Sequence, residues 1–111
     1  MRKDFSQKDK QILAQRSGYI CSYPSCHALT IAPNEEGVEK TSSIGMACHI
    51  YAASDGKNAK RVNVNMTDEQ LSDISNGIWM CYTHGKLIDT DECRFSAPLL
   101  MEWKNINEEI A

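Results

Sequence analysis

Two short segments decide how this chain folds: Cys21-Ser-Tyr-Pro-Ser-Cys26 and Cys81-Tyr-Thr-His84. Each segment carries two side chains of the kind that bind zinc in proteins, at a spacing that lets both reach one cation. Pro24 favours a tight turn within the first segment, and the second places its two side chains one turn apart at the start of a predicted helix. We therefore predict one tetrahedral zinc site that joins distant parts of the chain, with the ligands Cys21, Cys26, Cys81 and His84.

The remaining cysteines and histidines leave alternatives open. His27 directly follows Cys26 and could replace His84 as the fourth ligand, although Cys81 would then lack a chelating neighbour. The four side chains could also remain unligated in a reducing compartment. We predict that Cys48 and Cys93 are buried thiols outside the metal site, since free cysteine behaves as a small apolar residue.

The length of the chain, 111 residues, predicts a single domain over residues 1–111. Aromatic residues make up only 7% of the chain, so the hydrophobic core of such a small domain needs added stabilisation. A structural zinc ion contributes on the order of 10 kcal/mol to the folding of small domains. The composition is therefore consistent with a fold that depends on metal.

The N-terminal sequence and the number of cysteines together predict the cellular location and whether the cysteines bind metal or form disulfides. The N-terminus runs from Met1 into a polar helix without an apolar leader, and no stretch approaches the roughly 18 apolar residues that span a bilayer. The cysteine count is five, which is odd. We therefore predict a cytoplasmic protein, without membrane contact, whose cysteines bind metal rather than form disulfides.

The charge of the chain argues mildly against a dedicated nucleic-acid binder. The formal net charge is −3, whereas such proteins usually carry a basic face. The only candidate basic patch in the sequence consists of Lys57, Lys60 and Arg61, and a cluster of this size is also typical of a solvated loop.

The first half of the chain reads as a helix followed by a loop and a strand. Ser6 with Asp9 resembles a capping box, so we predict a helix that begins there and ends before Gly18. Residues 33–43 contain turn-forming residues and predict an exposed loop. Residues 44–51 predict a strand that carries His49 near its end.

The second half reads as a short strand between helices. Thr67 with Gln70 predicts a capped helix that ends near residue 75, and Asn76-Gly77 predicts a turn before a strand over residues 78–80. Residues 81–89 predict a helix, and Ser96 caps a last one. Apolar residues follow helical spacing in that last helix, at Leu99, Trp103, Ile106 and Ile110. The fold class is therefore α+β. Since this last polar helix ends without glycine or proline, we expect the natural protein to continue beyond Ala111.

Three segments together resemble the HNH (His-Me finger) endonuclease family: Gly45–Ile50, Asn76–Cys81 and Cys81–Asp89. The resemblance covers roughly residues 17–104. It is closest to the HNH modules that are fused to nucleotide-sensing domains in bacterial anti-phage effectors, where a pair like Trp103-Lys104 closes a similar last helix. The resemblance implies a small zinc-stabilised ββα-metal domain, here with flanking N- and C-terminal helices.

The same resemblance implies catalytic roles for two residues. His49 matches the first histidine of the family motif and would act as the general base that takes a proton from water. Asn76 matches the middle asparagine, whose side chain fixes the hairpin and orients that histidine. A catalytic Mg²⁺ or Mn²⁺ would stabilise the charge of the phosphate in the transition state.

The sequence departs from the family pattern at two positions. Gly85 stands where the fullest pattern has a histidine that holds the catalytic metal, and Cys48 stands where some members have an aspartate. His84 could therefore bind the catalytic metal and leave the zinc site incomplete. We favour the other interpretation, in which His84 completes the zinc site and the catalytic cation relies on His49, water and a carboxylate such as Asp89 or Asp55.

The predicted function is an endonuclease of low sequence specificity that cleaves DNA, which is expected to be double-stranded, in bacterial anti-phage defence. The alternative is a catalytically degenerate zinc-binding module that docks nucleic acid or a protein partner. If the chain is the N-terminal part of a longer effector, a fused or associated sensor domain could bring two copies together, and homo-oligomers would gain avidity for DNA.

Overall fold

The chain folds into four α-helices and two antiparallel two-stranded sheets within the residues that the computed structural model describes, 4–53 and 59–111. This confirms the predicted α+β class. A 3-10 turn over Ile74–Asn76 precedes the last strand. The helices are α1 (Gln7–Arg16), α2 (Asp68–Leu71), α3 (Tyr82–Ile88) and α4 (Ala97–Ile110), and the strands are β1 (Ile31–Pro33), β2 (Thr41–Ser43), β3 (Gly45–His49) and β4 (Gly77–Cys81).

The central sheet pairs β3 with β4, from Gly45 opposite Cys81 to His49 opposite Gly77. Side chains alternate between the two faces of a strand, so each face packs against different helices. One face contacts α1 and carries Trp79 together with Ala47. The other face contacts α3 and α4 and carries fully buried residues of β4 such as Met80. The core is therefore divided by a sheet of only two strands.

Helix α1 forms where the sequence predicts it. The Ser6 hydroxyl accepts the backbone N–H of Asp9 at 3.1 Å, which satisfies one of the unpaired donors at the helix start. Gly18 ends the helix with a φ of +66°, in the left-handed region that glycine adopts without strain. Leu13 and Ala14 are the buried residues of this helix and face the central sheet.

The segment between α1 and β3 departs from the prediction. Residues 33–43, predicted as a loop, form the end of β1, a turn and β2, which pair antiparallel. All three residues of β2 are exposed, so no apolar alternation in the sequence reveals the strand. The pairing depends on backbone hydrogen bonds rather than on a buried face.

The segment between α2 and β4 confirms one prediction and corrects another. Thr67 and Gln70 form the predicted capping box, and the helix that it opens is short. The prediction of a turn at Asn76-Gly77 is wrong: Asn76 ends the 3-10 turn, and Gly77 is already the first residue of β4. The predicted turn at residues 54–56 lies outside the described residues.

Helix α4 begins after Ser96 as predicted, but its buried face is not the predicted one. Ile106 and Ile110 are exposed, at 46% and 63%, although they belong to the predicted apolar stripe. The buried face is turned by one position and consists of Ala97, Leu100, Lys104 and Asn107. The two polar residues of this face have hydrogen-bond partners. Apolar spacing alone could not identify a face that is partly polar.

Two further predictions concern exposure. Cys48 is buried as predicted, but Cys93 is exposed, which corrects the prediction that both are buried. Cys93 lies in the polar segment between α3 and α4, where its backbone N–H binds the Asp91 carboxylate. Within residues 4–53 and 59–111 no helix has the length and apolar character needed to cross a membrane.

Gly77 is required by packing rather than by a turn, which yields a prediction. A Cβ atom there would lie 2.5 Å from Leu13 Cδ1 and 3.0 Å from Phe5 Cζ, both in the core between α1 and the sheet. We expect Gly77→Ala to lower the free energy of unfolding by about 1–3 kcal/mol, because overpacking forces the helix away from the strand. Urea denaturation monitored by circular dichroism measures this change.

The matched control is Gly37→Ala in the turn between β1 and β2. A Cβ atom there meets only the flexible carboxylate of Glu39. We expect a change within about 0.5 kcal/mol for this variant. Equal stability of the Gly77 variant and the wild type would contradict the packing that the structure shows.

Candidate metal centre and active-site groove

The four predicted metal ligands lie together. One ligand atom from each side chain is within 4.8 Å of all the others, and the set is Cys21, Cys26, Cys81 and His84. His27, the alternative ligand, is exposed and lies outside this cluster. The fold therefore selects the histidine of the second segment, and a Cys₃His cluster of this kind can hold a metal such as zinc.

The distances within the cluster fit a tetrahedral ion. The Nδ1 atom of His84 lies 3.3 Å from the Cys81 sulfur and 3.7 Å from the Cys21 sulfur. Zinc–sulfur and zinc–nitrogen bonds of usual length place such atoms about 3.6 Å apart at neighbouring corners of a tetrahedron. The side chains thus need little movement to share one cation.

The first pair of ligands sits in a loop whose two ends are tied together. Thr30 closes this loop, because both its backbone N–H and its hydroxyl donate to the Tyr19 carbonyl, at 2.8 and 2.6 Å. The same hydroxyl accepts the indole N–H of Trp79 at 2.9 Å. Ser22 donates its backbone N–H to the Trp79 carbonyl, which holds the loop beside β4. The second pair of ligands, Cys81 and His84, lies at the end of β4 and the start of α3. The loop beside β4 therefore brings the first pair of ligands close to the second.

The surroundings of the cluster shift the pKa values of its thiols. The pKa of the Cys21 thiol is raised to about 12, mainly by burial and to a smaller extent by the nearby thiols of Cys81 and Cys26. Burial also opposes ionisation of Cys81. The backbone N–H of His84 and the thiols of Cys21 and Cys26 outweigh it and lower the Cys81 pKa. Several adjacent thiolates repel one another, so full ionisation of the cluster requires a cation.

An aromatic cluster supports the fourth ligand. The Tyr23 ring stacks on the His84 imidazole with ring centroids 4.0 Å apart and planes 8° from parallel. Trp103 of α4 contacts the Tyr23 ring edge-on at 5.0 Å. Such contacts fix the orientation of a metal-binding histidine as groups around a metal site usually do. Helix α4 is therefore part of the support of the metal centre.

His49, the predicted general base, is the last residue of β3. Its imidazole is half-buried and stacks on the Phe5 ring with centroids 4.1 Å apart. It lines a groove of about 330 Å³ whose lining also includes Asp89 and Lys60. The groove thus brings a base, an acid and a cation to one surface of the fold.

Asn76, the second predicted catalytic residue, is buried and fully hydrogen-bonded. Its side-chain oxygen accepts the backbone N–H of Tyr51 at 2.9 Å, and its amide nitrogen donates to the carbonyls of Tyr51 and Leu71 at 3.0 Å. Asn76 therefore fixes the chain directly after β3, two residues beyond His49. It acts on the backbone that carries the histidine.

Arg61 is the important residue that sequence reasoning missed. It was predicted as part of a basic patch, but it is 5% exposed and adopts a φ of +58°. Its Nε donates to the Ile50 carbonyl at 2.7 Å, and Nη2 reaches the His49 carbonyl at 3.4 Å and the Asp89 carboxylate at 2.8 Å. Arg61 therefore joins the end of β3 to the end of α3.

The sequence offered no signal for this role, because an arginine beside lysines in a polar segment is typically exposed. Burial of Arg61 also removes it from the predicted basic patch, and Lys57 lies outside the described residues. Lys60 is the described remainder of that patch and lines the groove.

The structure shows the position of only one of the two carboxylates that were predicted to bind the catalytic cation. Asp89 lies at the end of α3 with one oxygen bound to Arg61, and its side chain is 58% exposed. It is therefore paired but remains accessible from the groove. Asp55, the other candidate, lies outside the described residues.

Gly85 is buried in α3, and the structure gives a reason for glycine there. A Cβ atom at this position would lie 2.5 Å from the Met46 sulfur and 3.1 Å from the Cys48 sulfur. Burial raises the pKa of the Cys48 thiol well above its usual range, so it remains protonated. Where the fullest family pattern has a metal-binding histidine and some members have an aspartate, this chain has a glycine and a neutral thiol.

No protein-family model matches the chain, and a search of curated proteins finds no significant match. The resemblance to HNH endonucleases over residues 17–104 thus stays a prediction. Any assignment of function depends on the side chains that the fold brings together.

Replacing each candidate histidine ligand tests the metal centre. We expect wild-type protein to hold about one zinc ion per chain, and His84→Ala to weaken zinc binding at least about tenfold, because one of four ligands is lost. His27→Ala and Cys93→Ser are matched controls outside the cluster and should bind zinc as the wild type does. Competition with a chromophoric chelator measures the affinities. Weakened binding by the His27 variant with unchanged binding by the His84 variant would reverse the ligand assignment.

Replacing Arg61 tests its structural role. Arg61→Met leaves buried carbonyl groups without a donor, so we expect the free energy of unfolding to fall by about 3 kcal/mol. The control is Arg94→Met, since Arg94 is exposed and packs on the Phe95 ring; we expect it to cost less than about 1 kcal/mol. Thermal and urea unfolding of both variants measure the difference. Similar losses in the two variants would show that the buried hydrogen bonds of Arg61 contribute little.

Proposed function

We propose that this domain is a divalent-metal-dependent endonuclease of the His-Me finger type, which cleaves phosphodiester bonds in double-stranded DNA. The observation that carries the proposal is a groove whose lining includes His49, Asp89 and Lys60. Histidine at the end of a strand, facing an open groove, is able to take a proton from water that enters there.

The order of elements supports the same proposal. Two antiparallel strands, β3 and β4, are followed directly by α3, and the Cys₃His cluster lies where β4 passes into that helix. His49 stands at the far end of β3 from the cluster, since its partner Gly77 begins β4. The metal centre would therefore hold the sheet and α3 together without taking part in the reaction itself.

The proposed chemistry divides between the residues of the groove. His49 would accept the proton of the attacking water, the role that histidine most often has as a general base. Asp89 is the described carboxylate that could help to hold Mg²⁺ or Mn²⁺, which usually bind one or two carboxylates, waters and substrate phosphate. When bound, such a cation stabilises the charge that develops on the phosphate and on the leaving oxygen. Lys60 would contact a phosphate oxygen.

The backbone around the groove is held by buried hydrogen bonds. Asn76 binds the main chain at Tyr51, and Arg61 binds the carbonyls of His49 and Ile50 as well as the Asp89 carboxylate. Catalytic groups must be held close to their productive geometry, and small displacements cost large factors in rate. These bonds support the proposal because they fix both sides of the groove.

A second function is favoured by a specific observation. Gly85 has no side chain to offer as a ligand, and the Cys48 thiol is buried and protonated, so neither position that binds the catalytic cation in members of the family supplies a ligand here. The alternative proposal is therefore a degenerate zinc-binding module that docks nucleic acid or a protein partner without hydrolysis. The wider setting, an effector of bacterial anti-phage defence with a sensor domain and paired copies, is proposed from the sequence resemblance alone.

Nicking of supercoiled plasmid in the presence of Mg²⁺ or Mn²⁺ tests the leading proposal. We expect His49→Ala to lower the rate of nicking at least about 100-fold, because a general base contributes that much or more. His27→Ala is the matched control, since His27 is exposed and outside both the groove and the metal cluster, and it should nick at the wild-type rate.

The same experiment separates the two functions. Plasmid retardation in a gel without nicking, equal in the wild type and the His49 variant, would support the docking module and end the assignment of His49 as a base. Equal nicking by the wild type and His49→Ala would end the catalytic assignment of His49.

A further inference from the structure

The ring that stacks on His49 belongs to the segment before α1, outside the part of the chain that resembles the HNH family. Phe5 and His49 are nearly parallel, with planes 13° apart and centroids 4.1 Å apart. Phe5 is 4% exposed, so its ring is fixed within the core. One face of the His49 imidazole is therefore covered by a rigid aromatic neighbour.

The position of Phe5 follows from the packing around β4. Gly77 lies opposite His49 in the sheet, and its missing side chain leaves the space that Phe5 and Leu13 fill. The backbone N–H of Phe5 binds the Asp4 carboxylate at 2.8 Å, and Ser6 begins α1 directly afterwards. The segment thus has a fixed path, and the glycine that follows Asn76 admits the ring.

We infer that Phe5 is a positioning residue for His49: the stack holds the imidazole in one orientation and leaves its edge to the groove. This inference rests on the proposed function, because it assigns Phe5 to the orientation of the general base. An imidazole that adopts several orientations presents its nitrogen to water only part of the time. Because the stack already restricts the ring, the entropic cost of orienting the imidazole is not added to the barrier of the reaction.

Charged groups around His49 are compatible with this role. Asp4 precedes Phe5 in the chain and interacts electrostatically with His49, while Asp89 and Lys60 line the groove with His49. Burial opposes ionisation of Asp4. The N–H of Phe5, the ammonium of Lys10 and the charge of His49 outweigh it and lower the Asp4 pKa.

The test compares variants that keep the apolar volume of Phe5 with variants that keep its ring. Phe5→Leu removes the stack, and Phe5→Tyr retains it. Leu13→Val is the matched control, because Leu13 packs in the same cluster beside Gly77 but has no ring to stack on His49. If Phe5→Leu is unfolded by circular dichroism, Phe5→Met takes its place as an apolar side chain without a ring.

Two readouts on the zinc-loaded protein distinguish positioning from general stability. In imidazole proton–carbon spectra, the His49 signals should move when the stack is lost, while those of His27 and His84 stay in place. In plasmid nicking, Phe5→Leu should lower kcat about tenfold with KM within about twofold, and Phe5→Tyr should restore kcat. Leu13→Val should change neither readout below its unfolding temperature.

Unmoved His49 signals and unchanged kcat in Phe5→Leu, or equal effects of Leu13→Val, would overturn the inference. If the wild type shows no nicking that depends on His49, the proposed function fails, and the spectra alone then decide whether Phe5 orients the ring. A failure of the positioning role of Phe5 can therefore be distinguished from a failure of the proposed nuclease function.

Discussion

The contact on which the rest of the structure depends is the meeting of three thiols and one imidazole between the loop after α1 and the junction of β4 with α3. The central sheet has only two strands, and two-stranded sheets are marginal in water without further packing. A cation shared by Cys21, Cys26, Cys81 and His84 would join segments that are far apart in sequence. The aromatic contacts of Tyr23 with His84 and Trp103 extend this joint to α4.

The metal cluster and the helix caps could be predicted because short-range chemistry determines them. Ligand spacing identified the four side chains of the cluster, and hydroxyl and amide side chains marked the starts of α1 and α2. In these cases the residues that decide the structure are close in sequence or of rare types. The α+β class followed from the same local signals.

The wrong predictions concern residues whose environment is determined by contacts with distant parts of the chain. Gly77 was interpreted as part of a turn, yet the space it leaves is filled by Phe5 and Leu13 from the other end of the chain. Arg61 was interpreted as a surface cation, yet it is buried against the carbonyls of β3 and α3. No pattern within one sequence separates a buried, fully bonded arginine from an exposed one. The groove around His49 includes residues from outside β3, so the sequence of that strand could not predict it.

We expect a single metal ion in the cluster to hold this fold together. Circular dichroism of the chelator-treated chain in the far and near ultraviolet, recorded while zinc is added, tests this dependence. Native structure should be lost without metal and should return in proportion to added zinc, with saturation at about one equivalent per chain. A native spectrum and an unchanged melting temperature in the metal-free protein would contradict it.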